Sequence, residues 1–185
     1  MSKIRPETKD AIIEAAFEVF SESPTSSLSD VAVRAGVGRA TLHRHFASRA
    51  ALMHALAKTA LAELEDAVQH ETADASSYAE AFRQSFHAIV PLANRQWFLA
   101  HEDLEDDPAV AAAYAESHAE LLRDIEAAKT EGIFDPMLPT AWIANVYDNL
   151  VYAAWTLVRS GDATQKQAAE LAWRTLKSGV SGDGK

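Results

Sequence analysis

The chain has 185 residues, 48% of them hydrophobic, and a formal net charge of −10. That length holds one large domain or two small ones with a buried core, and the mixed composition excludes a disordered chain. No run approaches the roughly 20 apolar residues that cross a bilayer, and with no cysteine there is neither a disulfide nor a thiolate metal site.

The first ten residues, MSKIRPETKD, have no apolar run behind their basic residues, so no secretory signal is expected and the protein is read as soluble and cytoplasmic. Charge is unevenly spread. Residues 1–57 hold seven Lys or Arg against six Asp or Glu, a net +1; residues 58–185 hold ten against twenty-one, a net −11. An acidic body discourages loose contact with nucleic acid, whereas a local cationic patch invites it.

In chain order, a first helix is expected from about Pro6 to Ser21, with Ile12, Ala15, Ala16, Val19 and Phe20 on one face. The cluster Ser23-Pro24-Thr25-Ser26-Ser27 breaks it. Ser27 then stands as an N-cap, and Asp30 three positions later completes a capping box with the shorter acid. The short helix carrying Val31 and Ala32 ends where Ala35 runs into Gly36, which suits a left-handed cap. Val37 fills the corner and Gly38 turns the chain again. From Arg39 a second short helix directs Leu42 and Phe46 inward and leaves Arg39, Ala40, His43 and Arg44 outward, with Thr41 and His45 at the edges. Small residues at the crossing and polar donors outside suit a helix entering the DNA major groove. Within this unit Arg34, Arg39, Arg44 and Arg49 face only Asp30, and its expected core is Phe17, Phe20, Val31, Val37, Leu42 and Phe46.

Ser48 caps an uninterrupted fourth helix to about Gln69, a rod able to transmit a tilt. A break near Thr72–Ser77 precedes a helix through Tyr78, Phe82, Phe86 and Val90. Further helical segments are expected at about 92–104, 109–131, 140–159 and 164–178, punctuated by Pro91, an acidic stretch at 101–108, and Gly132 to Pro139. Segment 140–159 is apolar on more than one face and should be covered on two sides. No strand-like alternation occurs, so the fold class is all-α.

The string A-G-V-G-R-A-T-L-H-R-H-F-A-S-R-A-A-L, residues 35–52, resembles the signature of the TetR family of bacterial transcriptional regulators. The resemblance covers roughly residues 8–55; beyond that only length and helical character match. Gly38 stands where the family commonly has a capping Ser, and His43 where it commonly has Tyr. The resemblance implies a helix-turn-helix DNA-binding domain over 1–47, with a helical ligand-binding and dimerisation domain over 48–185. It implies phosphate contacts from Ser27, Thr41, His45 and Arg49, and base-edge contacts from Arg39, Ala40, His43 and Arg44. It also implies a homodimer through the last two helices, binding a palindromic double-stranded DNA operator in successive major grooves. A small-molecule effector, often hydrophobic or aromatic, would release the operator; a DNA-organising or co-repressor-dependent binder without such release, and a helical ligand-binding module whose reading unit no longer functions, are the rival expectations.

For that effector, Phe86, Trp97, Phe98, His101, Trp142, Asn145 and Tyr147 are the candidate lining, against the plainer reading that the aromatics fill a core, because pocket and core share a composition. Phe82, Trp155, Asn94, Gln96 and Asn149 belong to the same wider set. His101 with Glu102, Asp103 and Glu105 has the donor chemistry of a divalent-ion site but no fixed ligand spacing, so no metal is expected. Nothing matches a nucleophile elbow, a phosphate loop or a metalloprotease motif; no catalytic residue, cofactor or membrane contact is expected.

Overall fold

The computed structural model describes residues 8–101 and 108–182, and the regular elements among them are all helical. The first, α1 (Thr8–Glu22), buries Ile12, Ala16, Phe17 and Phe20. The next two, α2 (Leu28–Arg34) and α3 (Arg39–His45), fold across it and close the core with Val31, Leu42 and Phe46. Val37 is half-buried in their corner.

Local chemistry sets these boundaries. The Ser27 backbone N–H donates to Asp30 Oδ2 at 2.7 Å, while the Asp30 N–H donates to Ser27 Oγ at 3.3 Å, which is the reciprocal capping box. At the other end of α2, Gly36 takes φ +66°, and the Gly36 and Val37 N–H groups donate to the Val33 and Ala32 carbonyls. That double bond is a Schellman stop, and it needs the left-handed residue that glycine supplies without strain. Gly38 starts α3 in an extended conformation with no side-chain cap.

Ser48 caps α4 (Arg49–Thr72) by accepting from the Ala51 N–H at 3.1 Å. The helix is about 36 Å long at the standard rise per residue and runs almost a turn past the expected end, since no Gly or Pro interrupts it before Ser77 caps α5 (Tyr78–Ile89). Pro91 sits in a short 3₁₀ turn, Val90–Leu92, that redirects the chain into α6 (Ala93–His101). Then come α7 (Pro108–Thr130), α8 (Thr140–Arg159) and α9 (Gln165–Val180), the last opened by a Thr164–Gln167 capping box. Helices α8 and α9 pair, α5 lies between α9 and α4, and α6 bridges α1, α4 and α8. None of the described helices is long and apolar enough to cross a membrane. Residues 102–107 of the expected acidic stretch at 101–108, and with them most of the divalent-ion grouping around His101, lie outside the described residues.

Candidate DNA-reading face and ligand cavity

Helix α3 presents Arg39, Ala40, His43, Arg44 and His45 to solvent, with Thr41 half-buried at its edge. Among the described residues, neither Arg39 nor Arg44 forms an ion pair. Two residues expected on phosphates are engaged otherwise. Ser27 Oγ donates to Asp30 Oδ2 at 2.8 Å while accepting from the Asp30 N–H, so its hydroxyl belongs to the cap. The Ser27 backbone N–H, and after it the Ser27 hydroxyl, hold the Asp30 carboxyl below its ordinary range. The Arg49 guanidinium donates to the carbonyls of Ser26 (2.5 Å) and Pro24 (2.6 Å) and lies 4.3 Å from the Phe20 ring centroid. It rivets the first turn of α4 to the loop ahead of α2.

Arg34 also departs from expectation. Its guanidinium bridges Glu18 at 2.8 Å and Glu22 at 3.0 Å on α1, partners that a reading confined to residues 27–52 overlooks. These carboxylates raise the arginine further above its ordinary range. Of the four arginines between positions 34 and 49, Arg39 and Arg44 therefore remain uncommitted among the described residues.

A cavity of about 420 Å³ opens beside the outer half of α4, within the range of small-molecule pockets. Leu61, Leu64 and Val68 of α4 form one wall; Tyr78, Phe82, Ser85 and Ile89 of α5 form the next. Gln96 and Leu99 of α6, Tyr114, His118, Leu121 and Asp124 of α7, and Tyr147 and Asp148 of α8 complete it. Tyr147 is nearly inaccessible; its hydroxyl donates to Ser85 Oγ at 2.9 Å, and Ser85 passes the chain on to the Phe82 carbonyl. Burial pushes the Tyr147 phenol far above its usual range, so it stays neutral. Gln96 Nε2 donates to Asp148 Oδ1 at 3.1 Å. Burial raises the Asp148 carboxyl, against the opposing pull of His118 and the Gln96 bond. Burial also raises Asp124, helped by Glu120, and it raises Tyr114 together with the Asp148 charge.

Of the seven residues expected to line a pocket, Tyr147 does so and the other six lie elsewhere. Phe86 is fully buried behind the wall, its ring 4.7 Å from that of Tyr147. Phe98 meets Phe17 edge-on at 5.6 Å in the core beneath α1. Trp97 and His101 stack on each other at 4.2 Å, with His101 exposed. Trp142, 57% exposed, and Asn145 are on the outer side of α8. Aromatic composition cannot separate a wall from a core or an outer face, and periodicity alone does not say which side of a two-sided helix meets a void. One overlooked signal was local: Asp148 is the sole acid in the 20 residues of α8.

Residues 12–56, which span α1 to the first turns of α4, match the profile of bacterial regulatory proteins of the tetR family. Over 180 residues the chain is 28% identical to the HTH-type transcriptional repressor LfrR of Mycolicibacterium smegmatis, covering 97% of this chain and 93% of that one. The crystal structure of the TetR-like regulator LfrR from Mycobacterium smegmatis in complex with proflavine superposes with a TM-score of 0.75 at 26% identity, over 95% of this chain and 97% of that one. The ketosteroid transcriptional regulator KstR2 of Mycobacterium tuberculosis shares the fold, at a TM-score of 0.73 and 17% identity over 97% of both chains. Residues 12–56 thus carry the profile of the tetR family, and over nearly its whole length the chain is similar to TetR-like DNA-binding transcriptional regulators.

Proposed function

We propose that the chain is a homodimeric repressor whose operator is released when a flat aromatic molecule enters the cavity beside α4. In this reading residues 1–47 read DNA and residues 48–185 bind the effector and the second copy. Arg39, Ala40, His43 and Arg44 approach base edges, Arg being suited to guanine O6 and N7, while Thr41 and His45 reach phosphates. Ser27 and Arg49 hold the reading unit in shape.

One observation carries the reading: α4 is both a wall of the cavity and the rod that Arg49 rivets to the reading unit. A ligand that prefers one tilt of that rod changes the spacing of two reading units on a twofold axis. It does so only by the difference between its affinities for the two arrangements. The aromatic walls at Phe82, Tyr114 and Tyr147 suit a planar body, and the relative captured with proflavine supplies a first probe. A shortened reading list accords with Arg39 and Arg44 being the uncommitted arginines among the described residues of the unit.

The experiment is sequencing of genomic fragments retained by the purified protein, followed by titration of the enriched palindrome with and without proflavine. A single palindrome whose affinity falls when the cavity is filled is the expected result. Diffuse retention without a motif overturns operator reading. Tighter operator binding with ligand overturns release and makes the molecule a co-repressor-dependent binder.

A further inference from the structure

We propose that the cavity selects organic cations, an aromatic body bearing one positive charge, with the Asp148 carboxylate as the counter-ion. The inference rests on reading the cavity as the effector site and adds the charge of what enters it. Glu65, Glu116, Glu120, Asp124 and Asp148 all contribute to the lining, whereas no Lys or Arg does. The exposed glutamates alone would be an ordinary solvated rim. Asp148 is different, because it projects from an otherwise uncharged stretch of α8 into the aromatic part of the cavity.

Asp148 is also under-compensated. Its hydrogen bond among the described residues comes from the neutral Gln96 amide. From α7 it is faced by His118 and Tyr114, with Asp124 further along the same wall; its neighbour Tyr147 is neutral and turned to Ser85. A carboxylate drawn out of water without a full cationic partner costs the fold free energy. A cationic ligand supplies that partner, and the aromatic lining adds cation–π attraction. An anion meets five carboxylates, and a neutral ligand desolvates Asp148 further while giving it nothing.

The burial that raises the Asp148 carboxyl also sets a control. A carboxyl raised by burial lends stability that is present in acid and lost as pH rises through its raised value. Asp148→Asn, which keeps the shape and removes the charge, therefore melts no lower than the parent protein at neutral pH.

Three probes share a three-ring frame: proflavine, a cation in mildly alkaline buffer; acridine, neutral there; and an anthracene carboxylate, an anion. Each is titrated calorimetrically against the full chain and against Asp148→Asn. Proflavine should bind at least about tenfold more tightly than acridine, the anion should not bind, and the substitution should erase about tenfold of proflavine affinity while leaving acridine within about twofold. Acridine binding as well as proflavine, or a substitution that moves both equally or neither, overturns the cation assignment while leaving the effector site intact. Binding of none of the three overturns the effector-site reading together with the charge it was given.

Discussion

Arg44 and Arg49 are five positions apart and chemically identical, yet their surroundings give them different work. Arg44 is exposed on α3 without an ion pair among the described residues, while Arg49 spends its guanidinium on two carbonyls and an aromatic ring. Arg44→Ala should leave the melting temperature unchanged and weaken operator binding by about 1–3 kcal/mol, relaxing one operator position. Arg49→Ala should cost about 2 kcal/mol of stability, since charge-assisted bonds to backbone are lost, seen as a melting temperature lower by roughly 4–8 °C. Both are read by thermal denaturation beside an operator titration. An Arg49→Ala protein with unaltered melting and lost DNA affinity would return Arg49 to the phosphate set. Ser27 follows the same logic: its spacing to Asp30 announced a cap, and the hydroxyl is spent there.

At the scale of helices, the joint between cavity and reading unit is α6. Arg95, 7% exposed, donates from Nε to Glu63 of α4 at 2.9 Å, from Nη1 to Asn94 at 3.0 Å and from Nη2 to Glu14 of α1, and it lies 4.4 Å from the Phe17 ring centroid. Its neighbour Gln96 holds Asp148 in the cavity. A ligand that draws Asp148 away from Gln96 thus acts on the helix that clamps α1 to α4. Arg95→Met should cost about 1–3 kcal/mol of stability, limited because Glu14 and Glu63 stay hydrated once released. The more telling effect is on linkage: the ratio of operator affinities without and with proflavine should shrink toward one. An unchanged ratio, measured in parallel titrations, would place the coupling in α4 alone. The helices themselves were legible in advance, because caps, breakers and apolar spacing are local. The Arg34 and Arg95 bridges were not, because their acidic partners are distant in sequence.

For the whole molecule, the outer side of α8 and α9 matters most. Trp142 (57% exposed) and Tyr152 (48%) mark a stripe on α8 that also carries Asn145 and Asn149, and Leu171 (39%) stands on α9. Large apolar side chains left exposed on two paired helices are the composition of an association surface. If the proposed homodimer forms here, Tyr152→Glu combined with Leu171→Glu should convert it to a monomer in sedimentation equilibrium without altering helix content. The monomer should lose operator affinity, because a twofold site needs two reading units. A dimer that persists would move the interface elsewhere. Trp142 and Asn145, expected in the pocket, sit on this outer stripe instead.

What the sequence determined by itself was everything governed by neighbours in the chain: the all-α class, the capping box at Ser27, the glycine stop at Gly36, and the inward Leu42 and Phe46 that leave α3's polar face outside. Those depend on backbone geometry and on a period of 3.6 residues, which a few consecutive residues specify. Only the tertiary structure decided which arginines remain free, where the void lies, and which aromatics wall it rather than fill the core. These depend on carboxylates, carbonyls and rings brought together from far along the chain, and α8 shows it within one helix. Tyr147 faces Ser85 across the cavity, Asn145 faces solvent, and nothing in the order of residues 145–147 distinguishes those fates.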